Sequence, residues 1–252
     1  MQLLYKYACF SEYTEALVAE PRMWFSAPDK LNDPFECRPW FEFNYEHHQL
    51  VESMARHIRR VNPRITADTA TARAVGVFLE GRHRRSETWD SLRAELVARL
   101  TQEVGVLCLS ATGESILMWS HYGRCHTGVC LGFESSADTP FFGRAQEVLY
   151  DENLPTIDIF NTPHETQVDQ IFLTKYSDWR YEKEWRIIEH DAGPGSHEYP
   201  GELLRTITFG LNTTASDREL VRSWAARRRH AITFQECVLD RRQFKLLIRE
   251  AA

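Results

Sequence analysis

The stretch Tyr181-Glu182-Lys183-Glu184-Trp185-Arg186-Ile187-Ile188 predicts a β-strand with one polar and one apolar face. Because strand side chains alternate, Glu182, Glu184 and Arg186 would point one way and Trp185 toward an apolar core. Carboxylates about 6.6 Å apart on one face repel by roughly 2.5 kcal/mol at an effective dielectric near 20. The pattern indicates a solvated edge, where Glu184 pairs with Arg186 and Glu182 faces water, a position beside compensating cations, or a cleft that uses the carboxylates.

The rest of the chain predicts strands toward both ends and helices between them. Runs typical of strands occur at 3–7, 23–26, 104–110, 127–133, 146–150, 183–189, 205–210, 232–238 and 243–249. Apolar residues recur every three or four positions over 46–61, 69–80 and 88–101, which predicts helices there. Ser11 is placed to cap a helix over 12–20. Further short helices are expected at 115–122, 164–173 and 215–229.

These elements favour an α+β fold with a mixed or antiparallel central sheet. We expect residues 1–252 to form a single domain, with 45–103 as a helical insertion. Because strand-like segments flank the insertion, both ends of the chain should contribute to one sheet system. That system is predicted to contain 3–7, 23–26, 104–110, 127–133 and 183–189.

Composition narrows the class of protein. The net charge of −6 argues against a protein whose main task is to coat nucleic acid. No apolar run approaches the roughly 20 residues that span a bilayer, and the N-terminus lacks a signal-peptide pattern, so a cytoplasmic protein without membrane contact is expected. The six cysteines show no C-x-x-C spacing, and the segment 121–130 lacks the paired spacing of zinc ligands. No metal is expected.

Several motifs resemble one bacterial family, catalogued as domain of unknown function 2971. They are Leu4-Tyr5-Lys6-Tyr7, Phe25-Ser26-x-Pro28, Asn32-Asp33-Pro34-Phe35-Glu36, Cys108-x-Ser110, Met118-Trp119-Ser120-His121-Tyr122, Gly128-Val129-Cys130-Leu131-Gly132-Phe133, Lys175-x-x-x-Trp179, Tyr181-Glu182-Lys183-Glu184-Trp185-Arg186 and Phe209-Gly210. Their order and spacing extend the resemblance from about residue 3 to 210. The family name itself implies no activity.

A second, fold-level resemblance is to the ADP-ribosyltransferase superfamily. It implies an NAD-using ADP-ribosyltransferase or NAD glycohydrolase, in the setting of a toxin or defence effector with a protein or nucleic-acid target and a neutralising partner. The resemblance places Lys6 or Tyr7 on the first strand, where those enzymes carry His or Arg, and Ser26 on the second. Glu184 would be the essential glutamate and Glu182 the glutamate before it.

Cleavage of the nicotinamide–ribose bond passes through an oxocarbenium-like state, as in glycoside cleavage. Glu184 is the candidate that stabilises this charge, Glu182 the candidate that accepts a proton, and His121 the candidate titratable base for a hydrolytic reaction. Candidates for contacts with NAD, or with another nucleotide-type small molecule, are Lys6, Tyr7, Ser26, Asn32, Asp33, Trp119, Tyr122 and Arg186.

Two other interpretations stay open. Asp33, Glu36, Glu182 and Glu184 would gather a hard cation in a metal-dependent nuclease or hydrolase. Alternatively, the protein is a non-catalytic ligand-binding module in which the aromatic residues belong to the core.

Overall fold

The computed structural model describes residues 2–251 and shows two compact units. Residues up to 34, 102–152 and 175 onward form the first, which we call the sheet unit; residues 35–101 and 153–174 form the second, the helical unit. The strands are β1 Gln2–Ala8, β2 Arg22–Phe25, β3 Trp40–Glu42, β4 Gly105–Ser110, β5 Val129–Ser135, β6 Gln146–Glu147, β7 Leu149–Asp151, β8 Thr156–Asp158, β9 Thr174–Tyr176, β10 Glu184–Glu189, β11 Gly195–Glu198, β12 Leu204–Phe209, β13 Thr233–Leu239 and β14 Leu246–Glu250. The helices are α1 Glu12–Ala19, α2 His47–Val61, α3 Ala67–Leu79, α4 Ser86–Gln102, α5 Ile116–His121, α6 His164–Leu173 and α7 Ala215–Ala225.

The sheet unit is built on a mixed eight-stranded sheet in the order β14-β13-β12-β5-β1-β4-β10-β6. Its neighbours are antiparallel except β12 and β13, which are parallel. The predicted α+β class is confirmed. The register places Tyr5 opposite Ser110 and Ser110 opposite Glu184, so β4 lies between the first strand and the glutamate strand.

The two faces of this sheet are packed differently. One carries the main apolar core, which includes the fully buried Leu4, Leu107 and Ile187. On the opposite face Tyr7 and a few other apolar side chains form a smaller cluster beneath α5, which contributes Met118 and Trp119. Glu184 alternates with the core residues along β10, and this alternation directs its side chain toward the second face.

The strand predicted at 23–26 exists, but its place in the central sheet was wrong. β2 pairs with β11 in a separate two-stranded sheet, and only Ser26 forms a bridge, to Val106 of β4. A strand pattern specifies which face of a segment is apolar but not which distant segment is its hydrogen-bonding partner.

The strand predicted over residues 181–188 was also wrong in part, because its first residues are not in a strand. Residues Ser177–Glu182 form a 3-10 helix, Lys183 has a left-handed backbone with φ of 44°, and β10 begins only at Glu184. The Lys183 carbonyl accepts a hydrogen bond from the Ala111 N–H at 2.9 Å, which fixes the turn. Simple alternation from Glu182 to Arg186 therefore does not apply.

The helical unit contains the helices predicted from the apolar periodicity of 46–101. Helices α2 and α3 pack through small buried residues, Ala55, Ala70 and Ala74. The unit also contains α6, which matches the helix predicted at 164–173. It further contains a two-stranded parallel pair, β3 with β8, which the sequence pattern did not indicate. Among the helices that the structure describes, none is long and apolar enough to cross a membrane.

Candidate functional site

The sheet unit contains a buried cluster of four charges, which we call the charged network: Lys175, Glu182, Glu184 and Arg186. The Lys175 Nζ lies 2.5 Å from Glu182 Oε2 and 2.9 Å from Glu184 Oε2. The Arg186 Nε and Nη2 donate to the two Glu184 oxygens at 2.8 and 2.9 Å. Each of the four residues is at most 5% exposed.

Local backbone structure brings the two carboxylates together. Glu182 ends the 3-10 helix and Glu184 starts β10, and the left-handed turn at Lys183 lets both side chains reach one ammonium group. The Ser110 hydroxyl donates to the Glu182 carbonyl at 2.5 Å. The Tyr150 hydroxyl accepts the Glu184 N–H at 2.8 Å. The backbone of both glutamates is therefore fixed from neighbouring elements.

Lys175 and Arg186 offset the repulsion between the two carboxylates that the sequence predicts. Burial by itself would raise the pKa of Glu184, yet the charges of Arg186 and Lys175 lower that pKa to about 2. Glu184 is therefore ionised at neutral pH. It can stabilise a positive charge, but it does not serve as a proton donor.

Aromatic side chains surround the network. The Tyr122 hydroxyl donates to Glu182 Oε1 at 2.6 Å, and burial together with this bond raises the pKa of Tyr122 well above its usual range. The exposed His121 pairs through Nδ1 with the Tyr181 hydroxyl at 2.9 Å. The Trp179 ring lies 5.2 Å from the Lys175 Nζ. Half-buried Tyr122 thus contacts Glu182 directly, and its ring centroid lies 6.3 Å from that of the exposed His121.

The structure joins part of the predicted site. Glu182, Glu184, Arg186 and Tyr122 belong to one hydrogen-bonded group, and His121 adjoins it as the neighbour of Tyr122. The interpretation in which Glu182 faces water was wrong, because this side chain is 3% exposed and bound to Lys175. The pairing of Glu184 with Arg186 is confirmed.

Two predicted ligand contacts have structural roles. Trp119 is fully buried, and its indole N–H donates to the Gly113 carbonyl at 2.9 Å. The Tyr7 hydroxyl donates to the Thr112 carbonyl at 2.9 Å, and its ring packs edge-on against Trp119 at 5.3 Å. Trp119 therefore offers no open face for stacking on a ligand.

The other predicted contacts lie elsewhere in the sheet unit. The Lys6 Nζ donates to the Cys108 carbonyl at 3.0 Å. Ser26 bridges Val106, whereas Glu184 lies opposite Ser110. Val106 and Ser110 are four residues apart, so the two positions are offset by about 13 Å along β4. Farther along the chain, Asn32 is exposed and Asp33 is buried.

Sequence reasoning missed Lys175 and Tyr181 as members of the site. A signal for Lys175 was present, because it lies two residues after the apolar segment 171–173, and a lysine in such a context is rarely buried unless it is paired. No comparable signal marked Tyr181, whose role depends on the position of His121 in the fold.

The donor set proposed for a metal does not fit one. Among residues 2–251, no three His, Cys, Asp or Glu side chains gather in a group that could hold a metal ion. The Glu182 and Glu184 oxygens already contact Lys175, Arg186 and Tyr122. Asp33, Glu36, Glu182 and Glu184 are therefore not supported as a metal site.

A comparison with known protein families finds a match in the part of the chain that contains the charged network. Residues 118–187 match the family described as "Protein of unknown function (DUF2971)". The resemblance to that family is confirmed over these residues. The matched segment runs from α5 into β10 and contains Tyr122 and the whole charged network. No curated protein and no solved structure matches the chain.

Proposed function

We propose that the protein is an NAD-using enzyme of the ADP-ribosyltransferase or NAD glycohydrolase type, with the charged network at its reactive centre. The observation that carries the proposal is the Lys175 ammonium, held within 2.9 Å of two carboxylates. Groups arranged in this way stabilise a positive charge between them. A ribosyl cation in the oxocarbenium-like state requires the same environment.

The chemistry assigns a role to each carboxylate. The bond between the nicotinamide nitrogen and the ribose carbon breaks, and its electron pair leaves with nicotinamide. Glu184, ionised because its pKa is lowered to about 2, stabilises the remaining cation. A water or hydroxyl oxygen then bonds to that carbon, and its proton passes to Glu182. Because Lys175 occupies the space between the carboxylates, the substrate must displace its ammonium group or enter past Tyr122.

The experiment is to incubate the protein with NAD and measure released nicotinamide. The wild type should release it, and Glu184→Gln should lower the rate by roughly 100-fold or more, at a temperature where circular dichroism shows both proteins folded. Glu189→Gln is the matched control, since Glu189 lies on the same strand and pairs with Arg144 at 3.1 Å, outside the network. A wild type that releases no nicotinamide, with or without added protein or nucleic-acid acceptors, refutes the proposal.

A second candidate is a non-catalytic module that binds a nucleotide-type small molecule. Its supporting observation is that all four carboxylate oxygens of the pair have partners within the protein: Glu182 contacts Tyr122 and Lys175, and Glu184 contacts Arg186 and Lys175. In that case NAD would raise the melting temperature without releasing nicotinamide. A ligand at 100 times its Kd stabilises by about 2.7 kcal/mol.

We propose the cytoplasm as the compartment. All six cysteines are free thiols, which suits a reducing environment. Cell fractionation of the tagged chain tests this, and recovery in a secreted fraction would contradict it.

A further inference from the structure

The sheet unit has a concave surface at the tip of the β13–β14 hairpin, away from the charged network in sequence and in its lining residues. We call it the hairpin-tip pocket. It is a cavity of about 440 Å³ between the hairpin end 239–246, the start of α5 at Ile116, and the residues His126 and Leu211. Cavities of several hundred Å³ are of the size that holds a small ligand or one nucleotide.

The hairpin loop presents three cations to this pocket. Arg241, Arg242 and Lys245 line it, and among the residues that the structure describes none of the three forms an ion pair. The one carboxylate of the loop is engaged by backbone, because Asp240 Oδ1 accepts the N–H groups of Arg242 and Gln243 at 2.7 and 2.9 Å. The loop is thus ordered and locally positive, although the chain as a whole is acidic.

Exposed apolar side chains accompany the cations. Phe244, at the tip, is fully exposed, and Leu239 is 68% exposed. The pocket continues onto Ile116, which is also exposed. A phenylalanine ring that contacts solvent on both faces, flanked by cations, is an arrangement that stacks on bases.

The opposite wall is a strained turn. Arg124, Cys125 and His126 have positive φ values of 49°, 54° and 66°. Residues other than glycine rarely adopt this backbone conformation. The turn is held because Gly210 has no side chain and lies against the His126 carbonyl, which also accepts the Asn212 N–H at 2.9 Å. Strain of this kind is concentrated at ligand sites.

We propose that the hairpin-tip pocket binds single-stranded nucleic acid, with one base stacked on Phe244 and successive phosphates on Arg241, Arg242 and Lys245. Three cations exceed what the phosphate of one mononucleotide engages, which favours a strand. The concavity favours a strand over an anionic membrane, because His126 and Leu211 also line the cavity, where a base can contact them and a flat bilayer surface cannot. This inference stands independently of the proposed use of NAD.

Fluorescence anisotropy with a short labelled oligouridylate, without NAD, is the test. The wild type should bind, with an affinity that falls as salt rises. Phe244→Ala should weaken binding by about tenfold or more, and Phe244→Trp should retain it because an aromatic face remains. Replacement of Arg241, Arg242 and Lys245 together by Gln should abolish binding. Each variant should melt like the wild type, since these side chains are exposed.

Matched controls lie elsewhere on the sheet unit. Leu149→Ala removes another exposed apolar side chain, and Arg229→Gln removes another exposed cation; neither should change binding. The proposal is overturned if the wild type does not bind the oligonucleotide, or if Phe244→Ala binds equally well. Uridine monophosphate that binds as tightly as the strand, or phosphatidylserine vesicles that bind when the strand does not, would also overturn it.

Discussion

The charged network and the hairpin-tip pocket use similar residue types in opposite ways. In the network, Lys175 and Arg186 are buried and each contacts a carboxylate within 2.9 Å. At the hairpin tip, Arg241 and Arg242 are exposed and line a cavity. The first region is neutralised from within, and the second has charge to offer a partner. Charge count alone would not separate them; burial and pairing do.

Removal of one charge from the network should have the largest effect on stability. Glu184→Gln keeps the side-chain shape but leaves Arg186 and Lys175 with uncompensated charge. Breaking a buried pair on one side should lower the free energy of unfolding by roughly 3–5 kcal/mol. Urea denaturation measures the loss, with Glu189→Gln as the control, which should lose under about 1 kcal/mol because its arginine partner is partly exposed. Equal losses in both variants would remove the distinction between buried and exposed pairs.

Acid titration addresses the same carboxylate without a mutation. The pKa of Glu184 is lowered from 4.5 to about 2 in the folded protein, so between these values the unfolded state binds more protons. The stability that Glu184 contributes is complete above pH about 4.5 and is lost as pH falls through about 2. The size of this contribution is on the order of 3 kcal/mol. The gap in unfolding free energy between wild type and Glu184→Gln should therefore narrow with acid. A gap that stays constant from neutral pH to about 2 contradicts the assignment.

The sequence predicted more of the fold than of the site, for a physical reason. Strands such as β1 and β5 and the helix capped by Ser11 follow from local apolar patterns and capping chemistry, and the structure contains them. Glu184 and Arg186 were correctly paired because they are two residues apart on one strand. In contrast, the Glu182 environment depends on a left-handed backbone at Lys183, and lysine carries no sequence signal for positive φ.

The sequence patterns also did not predict which distant residues would be in contact. Lys175 reaches the carboxylates only because β9 and the 3-10 helix return the chain to β10. Ser26 illustrates the opposite error, since it joins β4 through a single bridge while the rest of its strand pairs with β11. For Ser26 the pattern identified the strand but not its partner, whereas for Lys175 it predicted neither β9 nor the 3-10 helix. Both outcomes depend on contacts that local sequence does not encode.

The smallest expected change in stability comes from removing the hydroxyl of Tyr122 or of Tyr181, two tyrosines at the edge of the network. Tyr122→Phe removes a hydroxyl that donates to the buried Glu182 carboxylate at 2.6 Å, and a hydrogen bond to a charged group contributes about 2 kcal/mol. Tyr181→Phe removes a bond to the exposed His121, where water replaces the hydroxyl, so its loss should stay below about 1 kcal/mol. Both variants keep the ring, which isolates the hydroxyl, and urea denaturation at neutral pH measures the two losses. If Tyr181→Phe lost as much stability as Tyr122→Phe, the network would extend to the hydrogen-bonded pair of Tyr181 and His121, and His121 would have to be counted among its members.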